Sequence, residues 1–148
     1  MELLEQGIPW QDIDRAALNF GMKHGPCTLM DEIGLDVVLH SGWILYKAFP
    51  NRVKPMPLLL QLVEQGHLGV KAGCGIRETH ISDGAAAKCD DEIISFLLEP
   101  MYNEALRCYR DGIVGQLTDA DLASVEALGF PPDKTGIATW GQNRFRLV

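Results

Sequence analysis

Residues 90–110 read DDEIISFLLEPMYNEALRCYR, and this stretch decides the fold. Ile93, Ile94, Leu97, Leu98, Met101, Ala105 and Tyr109 recur at helical spacing, which gives one long buried face. Pro100 lies inside the run, removing an amide donor and crowding the previous turn, so a kink is expected there. C-terminal to this stretch, Thr118 is placed to cap a helix from Asp119 to about Leu128, and residues 136–143 read as a last short one. N-terminal to it, Gln11 to Phe20 carries Ile13, Ala16, Ala17 and Phe20 as a second apolar stripe and stops at Gly21. Gly25-Pro26 restarts the chain, since proline suits a first helical turn. An apolar-rich stretch follows to Phe49, with Gly34 as its expected break. Pro50, Pro55 and Pro57 then mark a connection before a short helix over Leu58 to Gln65. Strand patterns are nearly absent. The fold class is all-α.

The chain has 148 residues, a single domain's length and enough to close a core. Its 47% hydrophobic and 22% charged content excludes wholesale disorder. Thirteen Lys and Arg against twenty Asp and Glu give a net charge of −7. That balance repels a phosphate backbone and argues against a nucleic-acid partner. No segment approaches the roughly 18 consecutive apolar residues of a membrane span. Met1-Glu2-Leu3-Leu4-Glu5 has neither the basic region nor the cleavage site of a signal peptide, so a cytoplasmic location is expected. Cys27, Cys74, Cys89 and Cys108 include no C-x-x-C and read as reduced thiols. His24 and Cys27 form a lone H-x-x-C, and without a second close pair no metal site is expected.

An internal similarity organises the chain. Glu5-Gln6-Gly7-Ile8 leads through Asp12-Ile13-Asp14 to Phe20-Gly21-Met22 and then Gly25. Arg110-Asp111-Gly112-Ile113 leads through Asp119-Ala120-Asp121 to Leu128-Gly129-Phe130 and then Gly136. Each run reads as a helix end, an acid-led helix and a glycine-closed turn before another helix. The expected organisation is one helical domain over 1–148. Its first repeat covers about 1–66, a glycine loop and linker 67–89, and the second repeat about 90–148. The copies are unequal, because only Met1 to Gln6 stands where the second copy has the helix of residues 90–110. The helix of residues 11–20 would then present Ile13, Ala17 and Phe20 to an open groove. Such an apolar patch marks an association surface, so a twofold homodimer is expected.

These segments resemble the C-terminal helical domain of 3-hydroxyacyl-CoA dehydrogenases, in the tandem form found in multifunctional fatty-acid oxidation enzymes. The resemblance rests on Ile13-Asp14 to Phe20-Gly21, on Gly25-Pro26-Cys27-Thr28-Leu29-Met30-Asp31-Glu32-Ile33-Gly34-Leu35-Asp36 and on Leu68-Gly69-Val70-Lys71-Ala72-Gly73-Cys74-Gly75. It continues through Glu99-Pro100-Met101-Tyr102-Asn103-Glu104-Ala105, Asp111-Gly112-Ile113 and Asp119-Ala120-Asp121 to Gly129-Phe130-Pro131-Pro132. It implies a duplicated helical unit similar to the C-terminal-like fold of 6-phosphogluconate dehydrogenase. It also implies a parent enzyme of β-oxidation that oxidises a 3-hydroxyacyl-CoA with NAD. In the family an upstream Rossmann domain carries the NAD and the proton-transferring His and Glu. Here Gly73-Cys74-Gly75 is followed by Ile76-Arg77-Glu78, so the G-x-G-x-x-G fingerprint is incomplete and no strand precedes it. The chain is therefore expected to hold no cofactor, to carry no catalytic residue and to be inactive alone, acting as a substrate-cleft and association domain. A free-standing helical interaction or scaffold protein derived from that domain is the alternative.

Two residues are candidates for touching an acyl-CoA substrate. Lys71, among the glycines of residues 69–75, could face the anionic CoA phosphates, although a solvated lysine on a chain-reversing loop explains it more simply. Asn103, three residues beyond Pro100, matches by the internal similarity the family's first-copy substrate-contacting Asn. Asp31, Glu32 and Asp36 could be read as an acid–base group, but helix caps and solvated faces account for them more simply. Asp119 and Asp121 read as first-turn acids favoured by the helix dipole. Trp43, Trp140 and Phe130 read as packing residues.

Overall fold

A computed structural model describes residues 1–79 and 88–145. Among them run the helices α1 (Glu2–Glu5), α2 (Trp10–Phe20), α3 (Pro26–Ile33), α4 (Leu35–Ala48), α5 (Pro57–Glu64), α6 (Asp90–Arg110), α7 (Leu117–Leu128) and α8 (Ile137–Arg144). The described residues contain no strand, and the fold is all-α as the periodicity requires. Gly34, at φ 105°, separates α3 from α4, a backbone conformation that L side chains rarely adopt. α6 continues through Pro100, whose ring stands on its exposed side. α7 starts one residue before the expected cap. The Asp119 carboxylate reaches back to accept from the Gln116 N–H at 3.0 Å, so Gln116 rather than Thr118 precedes the helix. Glu92 serves the Cys89 N–H at the head of α6 in the same way, at 3.0 Å.

The chain forms two compact units, Met1–Arg15 with His24–Lys88 and Ala16–Lys23 with Cys89–Val148. In the first, α3 packs on α4 and α4 on α5, and Leu3, Leu4, Ile8, Ile13, Leu35, Leu59, Leu62 and Ile76 are buried. α4 buries little of itself: Leu35 is its one fully buried residue, while Val37, Ile44 and Leu45 stand about half exposed. In the second unit α6 and α7 both pack on α8. Ile93, Ile94, Leu98 and Tyr102 are buried on α6, and the Tyr102 ring lies against Gly141 of α8.

The structure buries Ile13 and Ala17 instead of presenting them to an open groove, while Phe20 lines an open pocket of about 300 Å³ with Ala16, Asn19, Ile94 and Trp140. Ile13 and Ala17 are each only 3% exposed. The Phe20 ring meets Phe130 edge-on at 5.7 Å and Trp140 at 5.3 Å. Trp140 continues the cluster to Phe145, and Phe145 to Tyr102. Edge-to-face contacts of this kind add about 0.5–1.5 kcal/mol beyond the area buried. Residues 130–145 thus supply the cover that the sequence pattern left missing around Phe20.

Phe130→Ala is expected to lower stability in urea denaturation by about 3–5 kcal/mol, since it empties a fully buried site. Phe20→Ala, at a half-buried ring, should cost about 2 kcal/mol. A neutral Phe20→Ala would restore the open groove and contradict this packing.

Candidate functional site

Three buried aspartates organise the surroundings of every candidate residue in the first unit and of α8 in the second. Asp14 leaves α2 with its carboxylate against the first turn of α3. Its Oδ1 accepts from the Cys27 N–H at 2.7 Å, and its Oδ2 accepts from the Thr28 N–H at 3.0 Å and the Thr28 hydroxyl at 2.7 Å. Asp121 does the same from α7 to α8. Its Oδ1 accepts from the Ala138 and Thr139 N–H groups at 2.7 and 3.0 Å, and its Oδ2 from the Thr139 hydroxyl at 2.6 Å. The approach is so close that a Cβ on Gly25 would lie 2.2 Å from Asp14, and one on Gly136 2.4 Å from Asp121. A helix start leaves N–H groups without intrahelical partners, and here an internal carboxylate satisfies them with a favourable charge. Asp121 is therefore not a solvated first-turn acid of its own helix. It is 7% exposed and caps the next one.

Asp31, near the end of α3, is 1% exposed and faces the glycine loop. Its Oδ1 accepts from the Ile76 N–H at 2.8 Å, and its Oδ2 from the Arg77 N–H and Nε, both at 3.2 Å. The Gly75 N–H donates to Glu78 at 2.7 Å, and a Cβ on Gly75 would fall 2.2 Å from Asp31. The glycines admit an internal carboxylate, not a ligand. The Gly69, Ala72 and Gly73 N–H groups donate to carbonyls within the loop, and Glu78 and Asp31 hold the amides of Gly75, Ile76 and Arg77, so a dinucleotide pyrophosphate would meet negative charge there. The residues of this loop do not fit the pyrophosphate of NAD. Asp31 thus departs from both sequence-level readings, since it is neither a solvated cap nor half of an acid–base pair. Glu32 is exposed, and Asp36 is partly exposed.

Lys71 lies on a 3₁₀ turn, Val70–Ala72, with its Nζ on the Asp36 carboxylate. The hydrogen bond from Lys71 holds the Asp36 carboxyl below its ordinary value. Both side chains are well exposed, so the pair exchanges readily with solvent and contributes little to stability. Asn103 stands exposed on α6, beside an open pocket of about 350 Å³ that Tyr102, Arg107, Arg110 and Phe145 also line. Arg107 pairs with Glu104 at 3.1 Å. The two candidates belong to different units, each with its own surroundings. Among the described residues no three His, Cys, Asp or Glu side chains converge as metal ligands. Cys27 is buried beside Asp14, and burial above all, then that carboxylate, pushes its thiol up to about 12.

The described residues define an all-α fold in which carboxylates of the chain hold the end of the glycine loop. The comparisons with known proteins place it further. The family model for the 3-hydroxyacyl-CoA dehydrogenase C-terminal domain matches residues 1–79, and the chain belongs to this family. Over 93% of its length it is 30% identical to the fatty acid oxidation complex subunit alpha of Acinetobacter baylyi. It is 29% identical, over the same share, to the subunit of that name from Acinetobacter baumannii strain AYE. The chain spans 24% of the length of each of these relatives.

Asp14→Ala and Asp121→Ala each strand buried donors and are expected to cost about 2–4 kcal/mol in chemical denaturation. A loss below about 0.5 kcal/mol would mean that the caps carry no weight. The Cys27 thiol sets a pH dependence of definite sign. The unfolded chain releases this proton near the ordinary value of 9.0 while the folded chain keeps it to about 12. Stability should therefore fall as pH rises from about 9 towards 12, and Cys27→Ala should flatten that limb. In the native protein a thiol reagent at pH 8 should modify exposed Cys89 and spare Cys27.

Proposed function

We propose that this chain acts as the substrate-cleft and association domain of an NAD-dependent 3-hydroxyacyl-CoA dehydrogenase of fatty-acid β-oxidation, in the cytoplasm, and is inactive alone. One observation supports the reading beyond family membership: the carboxylates of Glu78 and Asp31 hold the amides of Gly75, Ile76 and Arg77 and place negative charge where a pyrophosphate would sit. NAD would belong to the parent enzyme's other domain. Lys71 would release Asp36 to meet a CoA phosphate, and Asn103 would offer its amide to the acyl-CoA at the pocket on α6. The recurrence of the Asp-to-helix cap at Asp14 and Asp121 supports two unequal copies of one helical unit within a single domain.

Association is proposed through α4. Val37, Ser41, Ile44, Leu45 and Ala48 fall on one side of this helix, and Val37, Ile44 and Leu45 are largely exposed. Twofold pairing of that stripe with a second copy would remove it from water. The same stripe favours the second reading, a free-standing helical interaction protein.

Purified chain is expected to form no NADH from 3-hydroxybutyryl-CoA and to show no rise in Tm with NAD, since a ligand that does not bind the native state cannot stabilise it. NADH formation above a buffer blank would overturn the reading. Light scattering after size exclusion is expected to give twice the 16.3 kDa chain mass, and Ile44→Asp to halve it. A wild-type monomer would exclude the homodimer.

A further inference from the structure

The side of α4 turned towards α5 encloses an apolar pocket of about 170 Å³. Leu39, Trp43 and Tyr46 of α4 form one wall, and Met56 and Leu60 form the other. Gly42 also lines it, and the tip of Met56 reaches to 2.1 Å from where a Cβ on Gly42 would stand, so a side chain there would push Met56 into the pocket. A dry apolar cavity of roughly 150 Å³ takes up a guest the size of benzene, which sets the capacity here at about six carbons. The lining has one charged member. Lys54 pairs with Glu2 at 3.0 Å, yet its side chain is 79% exposed, so its ammonium can turn to another carboxylate.

We propose that this pocket binds an aliphatic carboxylate, its chain of about six carbons in the cavity and its head group on Lys54. The chemistry selects an amphipathic anion because one cation stands on an otherwise apolar lining. Glu2 is the internal competitor for that cation. The site uses neither Lys71 nor Asn103, and it stands or falls independently of the dehydrogenase reading. It also lies on the side of α4 opposite Val37, Ile44 and Leu45.

The test is a titration of the whole chain with butanoate, pentanoate, hexanoate, octanoate and 1-hexanol, read by tryptophan emission. Trp43→Phe identifies the reporting ring. Affinity is expected to rise about three- to fourfold per methylene up to hexanoate and then to level off. Hexanoate should bind several-fold tighter than 1-hexanol. Lys54→Met should abolish that preference, Lys54→Arg should keep it, and Glu2→Gln should strengthen hexanoate binding. Gly42→Leu should remove binding of acid and alcohol alike, and Leu60→Trp, which fills the opposite wall, serves if Gly42→Leu does not fold. Affinity independent of chain length, binding that survives both filling variants, or equal binding of hexanoate and hexanol would overturn the proposal.

Discussion

The structure depends on one repeated interaction, a buried aspartate that accepts the free N–H groups at the start of the following helix. A helix beginning inside a fold must find partners for donors that water no longer reaches, and leaving each unpaired costs about 1–3 kcal/mol. Asp14 answers this for α3, and Asp121 for α8. The same oxygens that satisfy the donors also fix the angle at which two helices leave their turn, because Gly25 and Gly136 allow contact closer than any Cβ would permit. Thr28 and Thr139 add a hydroxyl to each carboxylate and complete the cap. Once these helix pairs are set, the apolar faces have little choice of partner. Tyr102 of α6 packs where Gly141 of α8 makes room for its ring.

The same logic explains why the glycine-rich loop is structural. Asp31 applies the device a third time, to loop amides instead of a helix start. A sequence of closely spaced glycines with a lysine invites a phosphate reading, yet its amides are spent on carbonyls of the loop and, at its end, on carboxylates of the chain itself. One side of α4 carries a half-exposed aliphatic stripe and the other a small apolar pocket.

Much of this fold is legible in the sequence. The acid-led, apolar-periodic run at residues 90–110 is α6 with its boundaries intact, and Gly34 parts α3 from α4 as a glycine after an apolar stretch should. Local chemistry suffices for such features. It does not suffice for Phe20, whose neighbours Phe130 and Trp140 are distant in the chain, so the pattern around residues 11–20 read as an open groove. Nor does it suffice for Asp121, which as a first-turn acid looked solvated because its partners on α8 come together only in the folded unit. A signal for the caps was present: the second acid of Asp12-Ile13-Asp14 precedes Gly25-Pro26-Cys27-Thr28, as that of Asp119-Ala120-Asp121 precedes Gly136-Ile137-Ala138-Thr139. Each pairs an aspartate with a Gly-x-x-Thr helix start. Lys71 and Asn103 were legible as exposed polar residues on the glycine loop and on α6, while the Asp36 partner of Lys71 required the fold.

First-turn amides of a helix ordinarily exchange fast, since nothing within the helix accepts them. Amide hydrogen exchange resolved by residue tests the aspartate caps most directly. The account requires the amides of Cys27, Thr28, Ala138 and Thr139 to be protected to the level of the interior of their own helices. It also requires that Asp14→Ala release the first two and Asp121→Ala the last two. Rapid exchange of these four amides in the unaltered protein would contradict it.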